Sequence, residues 1–500
     1  MRVIFLVLLS LLPVLSFSQP ASPPLAALDR YIEQARRQWE VPGLAVAIVK
    51  DGEVLLAKGY GVRHVERSEP VDERTLFAMA STTKAVTAAA LALLVDEGKV
   101  DWDDRVVEHL PGFRLGDPYV TRELQVRDLL THNAGLGNAD FLWVHHDLSS
   151  EEILARMAYA EPAYSFRGGY TYQNIMYLAA GALIEAVSGE AWAGFVERRL
   201  FRPLGMERTF PLGQTGRAQN NRATPHDEVA GELMPITDTD ADAIGPAGSA
   251  WSCVADMARW MNFLLDSARV DGRRLLSAEN LGALFEPRVL IPKEQFYPTA
   301  RLTRPHWTTY ALGWFQHDYH GHAVSFHTGS LAGTVAICGL IPAERLGVYV
   351  FGNRDHAELR HAIMYKVFDV FGEQPADTDW SSRLKELYDG LESESEKRKE
   401  ERIEARVEGT RPTLSLEAYT GTYTDPFYGE LRVELQDGRL HLHLTPAWQG
   451  ALSHWHYDTF QLTYPDKPWY DPDLVAFQLA SDGDVSRLVI GNRTWEKETR

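Results

Sequence analysis

The run Ala85-Val86-Thr87-Ala88-Ala89-Ala90-Leu91-Ala92-Leu93-Leu94-Val95 leaves no polar stripe for water if it is helical. A helix apolar all round has to be wrapped by protein on nearly every side, which requires a large core. Leading into it is Phe77-Ala78-Met79-Ala80-Ser81-Thr82-Thr83-Lys84. Ser81 and Lys84 are three residues apart, so at the start of a helix hydroxyl and amine lie side by side. A serine hydroxyl needs a base to become a nucleophile, and a lysine among Ala, Val and Leu tends to shed its charge through desolvation. Backbone N–H groups at a helix N-terminus add a place for an oxyanion. S-x-x-K also occurs by chance, where it means an N-cap serine and a surface lysine. Its weight therefore depends on what accompanies it.

Composition narrows the classes. With 45% apolar and 24% charged residues the chain reads as a soluble globular protein, and 500 residues exceed one ordinary domain. A net charge of −19 with no basic stripe argues against nucleic acid and anionic membranes as partners. Residues 1–18 read as a secretory signal: Arg2, the apolar Val3 to Leu15, then Ser16-Phe17-Ser18 before a cut near Gln19. No cysteine follows to carry a lipid anchor, so the expectation is an exported, secreted or periplasmic protein. Cys253 and Cys338, far apart in sequence, are expected to be two separate core thiols.

Helical spacing from Leu25 to Trp39 precedes a hairpin, Leu44 to Val49 and Val54 to Ala57, turning at Asp51-Gly52. Helix and loop patterns follow to about Asp266. Strands return at Ala323 to Phe326, Thr334 to Ile341 and Gly347 to Phe351, before a helix from Ala357 to Phe371. This order predicts an α+β fold: one antiparallel sheet built from both ends of residues 19–375, flanked by helices, with an inserted helical subdomain. The charged stretch within 376–413 reads as a solvated helical linker. Residues 414–500 hold five evenly spaced strand patterns, at 431–435, 439–444, 459–464, 474–479 and 485–490, which predict a small all-β barrel.

Two further segments carry chemistry. Tyr172 and Asn174 in Tyr170-Thr171-Tyr172-Gln173-Asn174 lie two apart and can face one cleft. In His327-Thr328-Gly329-Ser330 the glycine lets a substrate approach the backbone, and the following N–H can face an oxyanion. Each alone has an ordinary structural explanation. Together, S-T-T-K, Y-Q-N and H-T-G resemble the class C β-lactamases, the D-alanyl-D-alanine carboxypeptidases, the D-aminopeptidases and related serine esterases. Supporting segments are Leu129 to Leu136, Pro203 to Met206, Pro246-Ala247-Gly248 and Tyr310 to Trp314. The resemblance spans roughly residues 25–372, and the tail resembles the lipocalin-like barrel often appended to this family.

The resemblance implies that Ser81 is the nucleophile, that Lys84 and Tyr172 share the work of the base, and that Asn174 orients Lys84 and the substrate amide. The N–H groups of Ser81 and Ser330 would hold the oxyanion, and His327, Thr328 and Gly329 would line the substrate side. The related penicillin-recognising enzymes carry K-T-G at the third segment. Histidine at His327 is largely neutral near pH 7 and holds a carboxylate weakly, which favours amide, D-amino-acid peptide or ester substrates over β-lactams. The expected activity is acyl-serine hydrolysis without metal or organic cofactor, on small substrates that include peptidoglycan-derived ones. The alternatives are a β-lactamase proper and a penicillin-binding sensor that does not turn over. Oligomers through the C-terminal domain are compatible with the sequence. His441, His443, His454 and His456 lack an evident completing ligand for zinc, and His317, His320 and His322 read as surface loop histidines. Asp238 to Asp242 resembles a calcium loop, but it lacks the glycine and glutamate that such a loop needs.

Overall fold

The computed structural model describes residues 23–270, 272–373 and 376–498; the expected leader at residues 1–18 lies outside them. Eight strands form one antiparallel sheet: β1 (Gly43–Lys50), β2 (Glu53–Gly61), β3 (Val289–Leu290), β4 (Thr308–Tyr310), β5 (Phe315–Tyr319), β6 (His322–Leu331), β7 (Thr334–Ile341) and β8 (Leu346–Gly352). Their spatial order is β2-β1-β8-β7-β6-β5-β4-β3. The two ends of the domain pair within it, where Val46 of β1 stands opposite Val350 of β8.

Side chains alternate across a strand, so each central strand feeds two cores. Ala45, Ala47, Cys338, Leu340 and Phe351 join one; Leu44, Val46, Ile48, Ile337 and Val350 join the other. Helices α1 (Pro23–Gln38), α2 (Thr83–Asp96), α3 (Phe141–Val144), α4 (Asn174–Ser188), α5 (Gly245–Gly248), α6 (Val254–Leu265), α7 (Leu359–Phe371) and α8 (Trp380–Glu404) recur below. α6 packs on the first face of the sheet, and α1 and α7 cover the second. Burial on both faces explains why β1, β7 and β8 read as continuous apolar runs. Beyond the first face, α2 is sandwiched between the sheet side of the domain and the helical insertion, touching α4, α5 and the helix Ala278–Phe285. All its residues from Thr83 to Leu94 are buried, the surroundings its composition demands.

The tail is a closed eight-stranded barrel: β9 (Gly421–Asp425), β10 (Gly429–Gln436), β11 (Arg439–Thr445), β12 (Trp448–His456), β13 (Thr459–Leu462), β14 (Asp473–Leu479), β15 (Val485–Ile490) and β16 (Arg493–Lys497). Closure is made by β9 against β16, with Tyr423 opposite Lys497. Three of these strands, β9, β12 and β16, carry Thr, Gln, Ser or Glu on their outer faces and were not among the five sequence patterns. Their inward residues Tyr423, Trp448, Leu452 and Trp495 are buried.

Several expectations change. The linker helix is not solvated throughout: at the start of α8, Trp380 and Leu384 are buried against the α1–α7 layer, and Trp380 Nε1 donates to Asp369 at 2.7 Å. His317 is a core residue on β5, not a surface one, with Nδ1 bonded to the Asp318 carbonyl at 2.9 Å. Asp238 and Asp240 pair with Arg222 and Arg217, each at 3.0 Å, so arginines neutralise the carboxylates of the calcium-like loop. Cys253 and Cys338 are buried free thiols. Among the described residues no helix is long and apolar enough to cross a membrane.

Two stability consequences follow. In α4, a Cβ on Gly181 would lie 2.1 Å from Pro246 Cγ of α5. Gly181→Ala should therefore force the helices apart and lower the unfolding free energy by about 1–3 kcal/mol in denaturant titration. Several imidazoles are buried in their neutral form. Burial pulls His317 down to about 4 and His327 to about 3, and at the barrel contact His145 falls to about 3 and His146 to about 4. The unfolded chain takes up these protons near pH 6.5 while the folded one refuses them, so stability should decline as pH falls from about 6.5 toward 4. Thermal melts across that range should show a falling Tm; a flat Tm would contradict the buried neutral state.

Candidate active site

The chain reaches Ser81 through a constrained turn. Ala80 adopts φ +47°, a left-handed conformation that costs an alanine energy and that the fold around it must maintain. Residues Ala80–Thr82 form one 3-10 turn ahead of α2, and Thr82 Oγ1 donates back to the Met79 carbonyl at 2.8 Å. Strand β6 presses against this turn at Gly329, where any Cβ would sit 2.2 Å from the Met79 carbonyl oxygen. The glycine of H-T-G thus brings the strand edge up to the nucleophile turn. Ser330, next along β6, is exposed beside it.

Lys84 is fully buried one turn into the element, with Nζ 3.1 Å from Ser81 Oγ, 2.6 Å from Asn174 Oδ1 and 2.9 Å from the Ala247 carbonyl of α5. Burial pulls its amine down to about 7, against a smaller opposing pull from the Asp140 carboxylate. The ring faces of Tyr172 and Tyr177, centred 4.7 and 5.3 Å from Nζ, also favour the charged form. A neutral amine has two protons and one lone pair. Asn174 Oδ1 and the Ala247 carbonyl can only accept, so they take the two protons and leave the lone pair directed at the Ser81 hydroxyl.

Tyr172 completes the cluster. Its hydroxyl is buried without a well-formed hydrogen bond; burial drives its pKa well above 10, and the adjacent Ser81 hydroxyl only partly offsets this. The phenol therefore stays protonated. His132 stacks on the Tyr172 ring at 4.3 Å, and its Nδ1 accepts the Gln173 N–H at 3.0 Å, which fixes the proton on Nε2. Asn174 is itself held: its Nδ2 donates to Asp140 Oδ1 at 2.8 Å, so its oxygen has to face Lys84.

On β6, His327 is only 1% exposed. Its Nδ1 donates to the Thr328 carbonyl at 2.6 Å, and its Nε2 accepts from the Tyr310 hydroxyl at 2.8 Å. Both nitrogens are committed, so His327 stands behind the cleft wall and not on the substrate face where the sequence reading put it. The hydroxyl of Thr328 bonds to that of Tyr297. Behind the strand lies a group no sequence pattern pointed to: the buried Arg360 donates to the Gly329 carbonyl at 2.6 Å and to Ser330 Oγ at 2.8 Å. Glu358 at 2.9 Å neutralises it, and His361 Nδ1 in turn bonds that carboxylate at 2.7 Å.

Ser81, Lys84, Tyr172 and Asn174 thus converge, with Gly329 and Ser330 beside them. Asp140, His132 and Arg360 are the supporting groups the sequence reading left without a role. His132 stood inside a quoted segment; Asp140 lies in a loop with no periodicity, and Arg360 resembles any helix arginine. Among the described residues, one cluster, His322, Glu344 and Glu373, brings potential metal-ligand atoms within 4.8 Å, but Lys50 already lies 3.7 Å from Glu344.

Known proteins share the fold. The chain is 29% identical over 453 residues to the unguisins hydrolase ungD of Aspergillus violaceofuscus, covering 84% of this chain and 78% of that one. The octameric penicillin-binding protein homologue of Pyrococcus abyssi superposes with a TM-score of 0.59 at 22% identity, over 95% of this chain and 100% of that one. The class C β-lactamase of Rhodobacter sphaeroides gives 0.56 at 20% identity, over 69% and 99%. Residues 405–499 match a domain of unknown function, DUF3471. Residues 28–368 match the Beta-lactamase family model, and the chain belongs to that family of serine hydrolases.

Proposed function

We propose that this protein is an exported acyl-serine hydrolase of small amide, D-amino-acid peptide or ester substrates, for which β-lactams are poor substrates. The observation that carries the chemistry is the buried Lys84 amine, pulled down to about 7 and hydrogen-bonded to Ser81. Its lone pair accepts the Ser81 proton as Oγ attacks the carbonyl carbon. N–H groups at Ser81 and Ser330 receive the oxyanion, each donor worth a few kcal/mol, about 3. Lys84 is the proton acceptor and not Tyr172, because the phenol is held protonated. Tyr172 then passes a proton to the leaving group and recovers one from the lysine. Collapse leaves the acyl group on Ser81, and water, deprotonated by the same pair, releases it. Asn174 fixes Lys84 and faces the substrate amide. A relative named as a hydrolase supports hydrolysis as the reaction.

Substrate preference follows from the third segment. A lysine at position 327 would place a cation on the strand, whereas His327 is neutral, buried and bonded on both sides, and Arg360 is matched by Glu358. At His327 the strand offers no cation to the carboxylate that β-lactams carry.

Because Lys84 has to be neutral to act, kcat/KM for a p-nitrophenyl ester should rise with pH through about 7 and then level. Ser81→Ala and Lys84→Ala should each cost roughly a thousandfold or more in kcat/KM. A Lys84→Ala variant of near-normal rate would remove the lysine from the mechanism. In a panel of D-aminoacyl amides, stem peptides, short-chain esters and nitrocefin, the first three classes should include the best substrate. Nitrocefin as the best would overturn the reading of His327, and a stable acyl-enzyme with every compound would favour a sensor.

A further inference from the structure

Residues 140–142 reach three different places. The Asp140 carboxylate accepts from Asn174 Nδ2 at 2.8 Å, Trp143 Nε1 at 2.9 Å and Asn138 Nδ2 at 3.0 Å. Leu142 is buried in the core that holds α2 and α4. Phe141, between them, packs against the core of the C-terminal barrel. Its ring meets Trp495 at 5.8 Å and Tyr428 at 5.6 Å, while the Arg493 guanidinium lies 4.3 Å over its face. One turn on, His145 rests on Trp448 of β12 at 4.2 Å. The barrel therefore takes a side chain of the catalytic domain into its mouth, and the residue before that side chain is one bond from the amide that holds Lys84.

We propose that Asp140 is a positioning residue for Lys84, and that the C-terminal barrel, by gripping Phe141, keeps Asp140 in place, making the barrel a clamp on the active site. The proposal rests on Lys84 acting as the base. It explains why the barrel docks on this loop, and what holds Asn174 with its oxygen toward the amine. An amide turned over would offer N–H groups to Lys84 and remove its acceptor. Docking and catalysis are thereby linked: whatever loosens the Phe141 grip, such as an apolar ligand competing for the barrel mouth, disturbs proton transfer at Ser81.

The charge of Asp140 gives the linkage a readout. The groups facing Lys84 are Asp140, the rings of Tyr172 and Tyr177, and the neutral His132 and His327. Of these only Asp140 is an anion, and it favours the charged amine. Asp140→Asn keeps an acceptor for Asn174 and removes the charge. Lys84 should then lose its proton more easily, moving the rising limb of the kcat/KM profile to lower pH by about half a unit or more. Asp140→Ala also removes the acceptor and should cost at least about tenfold in kcat.

The barrel side is tested in the full-length enzyme with Phe141→Ala and Arg493→Ala, with Phe141→Leu as the conservative variant. Phe141→Ala should shift the limb in the same direction as Asp140→Asn and lower kcat several-fold, Phe141→Leu should restore most of both, and Arg493→Ala should show a smaller shift of the same sign. Labelling of Ser81 by a fluorophosphonate across the same pH range gives the limb independently of turnover, and a thermal melt confirms folding for each variant. A limb that stays at the wild-type pH in folded Asp140→Asn and Phe141→Ala would overturn the clamp. A wild-type profile without a limb near neutrality, or an active Lys84→Ala, would instead overturn the reading beneath it.

Discussion

The site depends on an amine kept out of water. A lysine in solution is charged some three pH units above neutrality and is useless as a base; in the proposed mechanism Lys84 becomes one because α2 is buried on every face and because Asn174 and the Ala247 carbonyl satisfy it as a neutral group. The surroundings hold the pKa near neutrality instead of far below it. Asp140 and two tyrosine faces pull toward the charged form, desolvation pulls away, and the balance lies where a general base works at ordinary pH. The apolar run that most constrains the fold is thus also what activates the site, since a helix with a wet face would leave Lys84 protonated.

What the sequence makes legible follows from which forces act locally. β1, β7 and β8 are covered on both faces, so their residues are apolar without interruption and easily recognised. β3, β4 and β5 are short, lie toward the sheet edge and carry Thr, Gln and His whose partners come from elsewhere, as when Gln316 bonds the Phe285 carbonyl and Ser325. Such strands exist because β6 is there to pair with, and no local pattern announces them. The same holds in the barrel, where β9, β12 and β16 were hidden by their polar outer faces. In the site, Ser81, Lys84, Tyr172 and Asn174 were legible as a cluster because hydroxyl, amine, phenol and amide at short spacings are distinctive. Asp140 and Arg360 were not, because a carboxylate in a loop and an arginine on a helix acquire meaning only from what tertiary packing brings within 3 Å.

His327 shows how a motif position can keep its place and change its role. A lysine there would have to be exposed or paired; the imidazole instead sits in a dry wall, donating to the Thr328 carbonyl and accepting from Tyr310. It packs among Tyr172, Tyr310 and Phe315, with ring centres 6.2, 5.9 and 5.1 Å away. The strand still delivers Gly329 to the nucleophile turn, and Arg360 ties down the Gly329 carbonyl from behind. The placement of Gly329 thus does not depend on a cation at position 327.

The two domains also share more than a linker. α8 begins docked beside α7, within reach of the Tyr297, Glu358 and Arg360 layer that supports β6, and the barrel it leads to returns to grip Phe141 beside Asn174. The linker helix thus lies beside the layer that backs β6, and the barrel packs on the loop that carries Asp140. A barrel swinging on a free tether would be indifferent to the chemistry. One that holds the loop hydrogen-bonded to Asn174 is instead coupled to the site through Asp140.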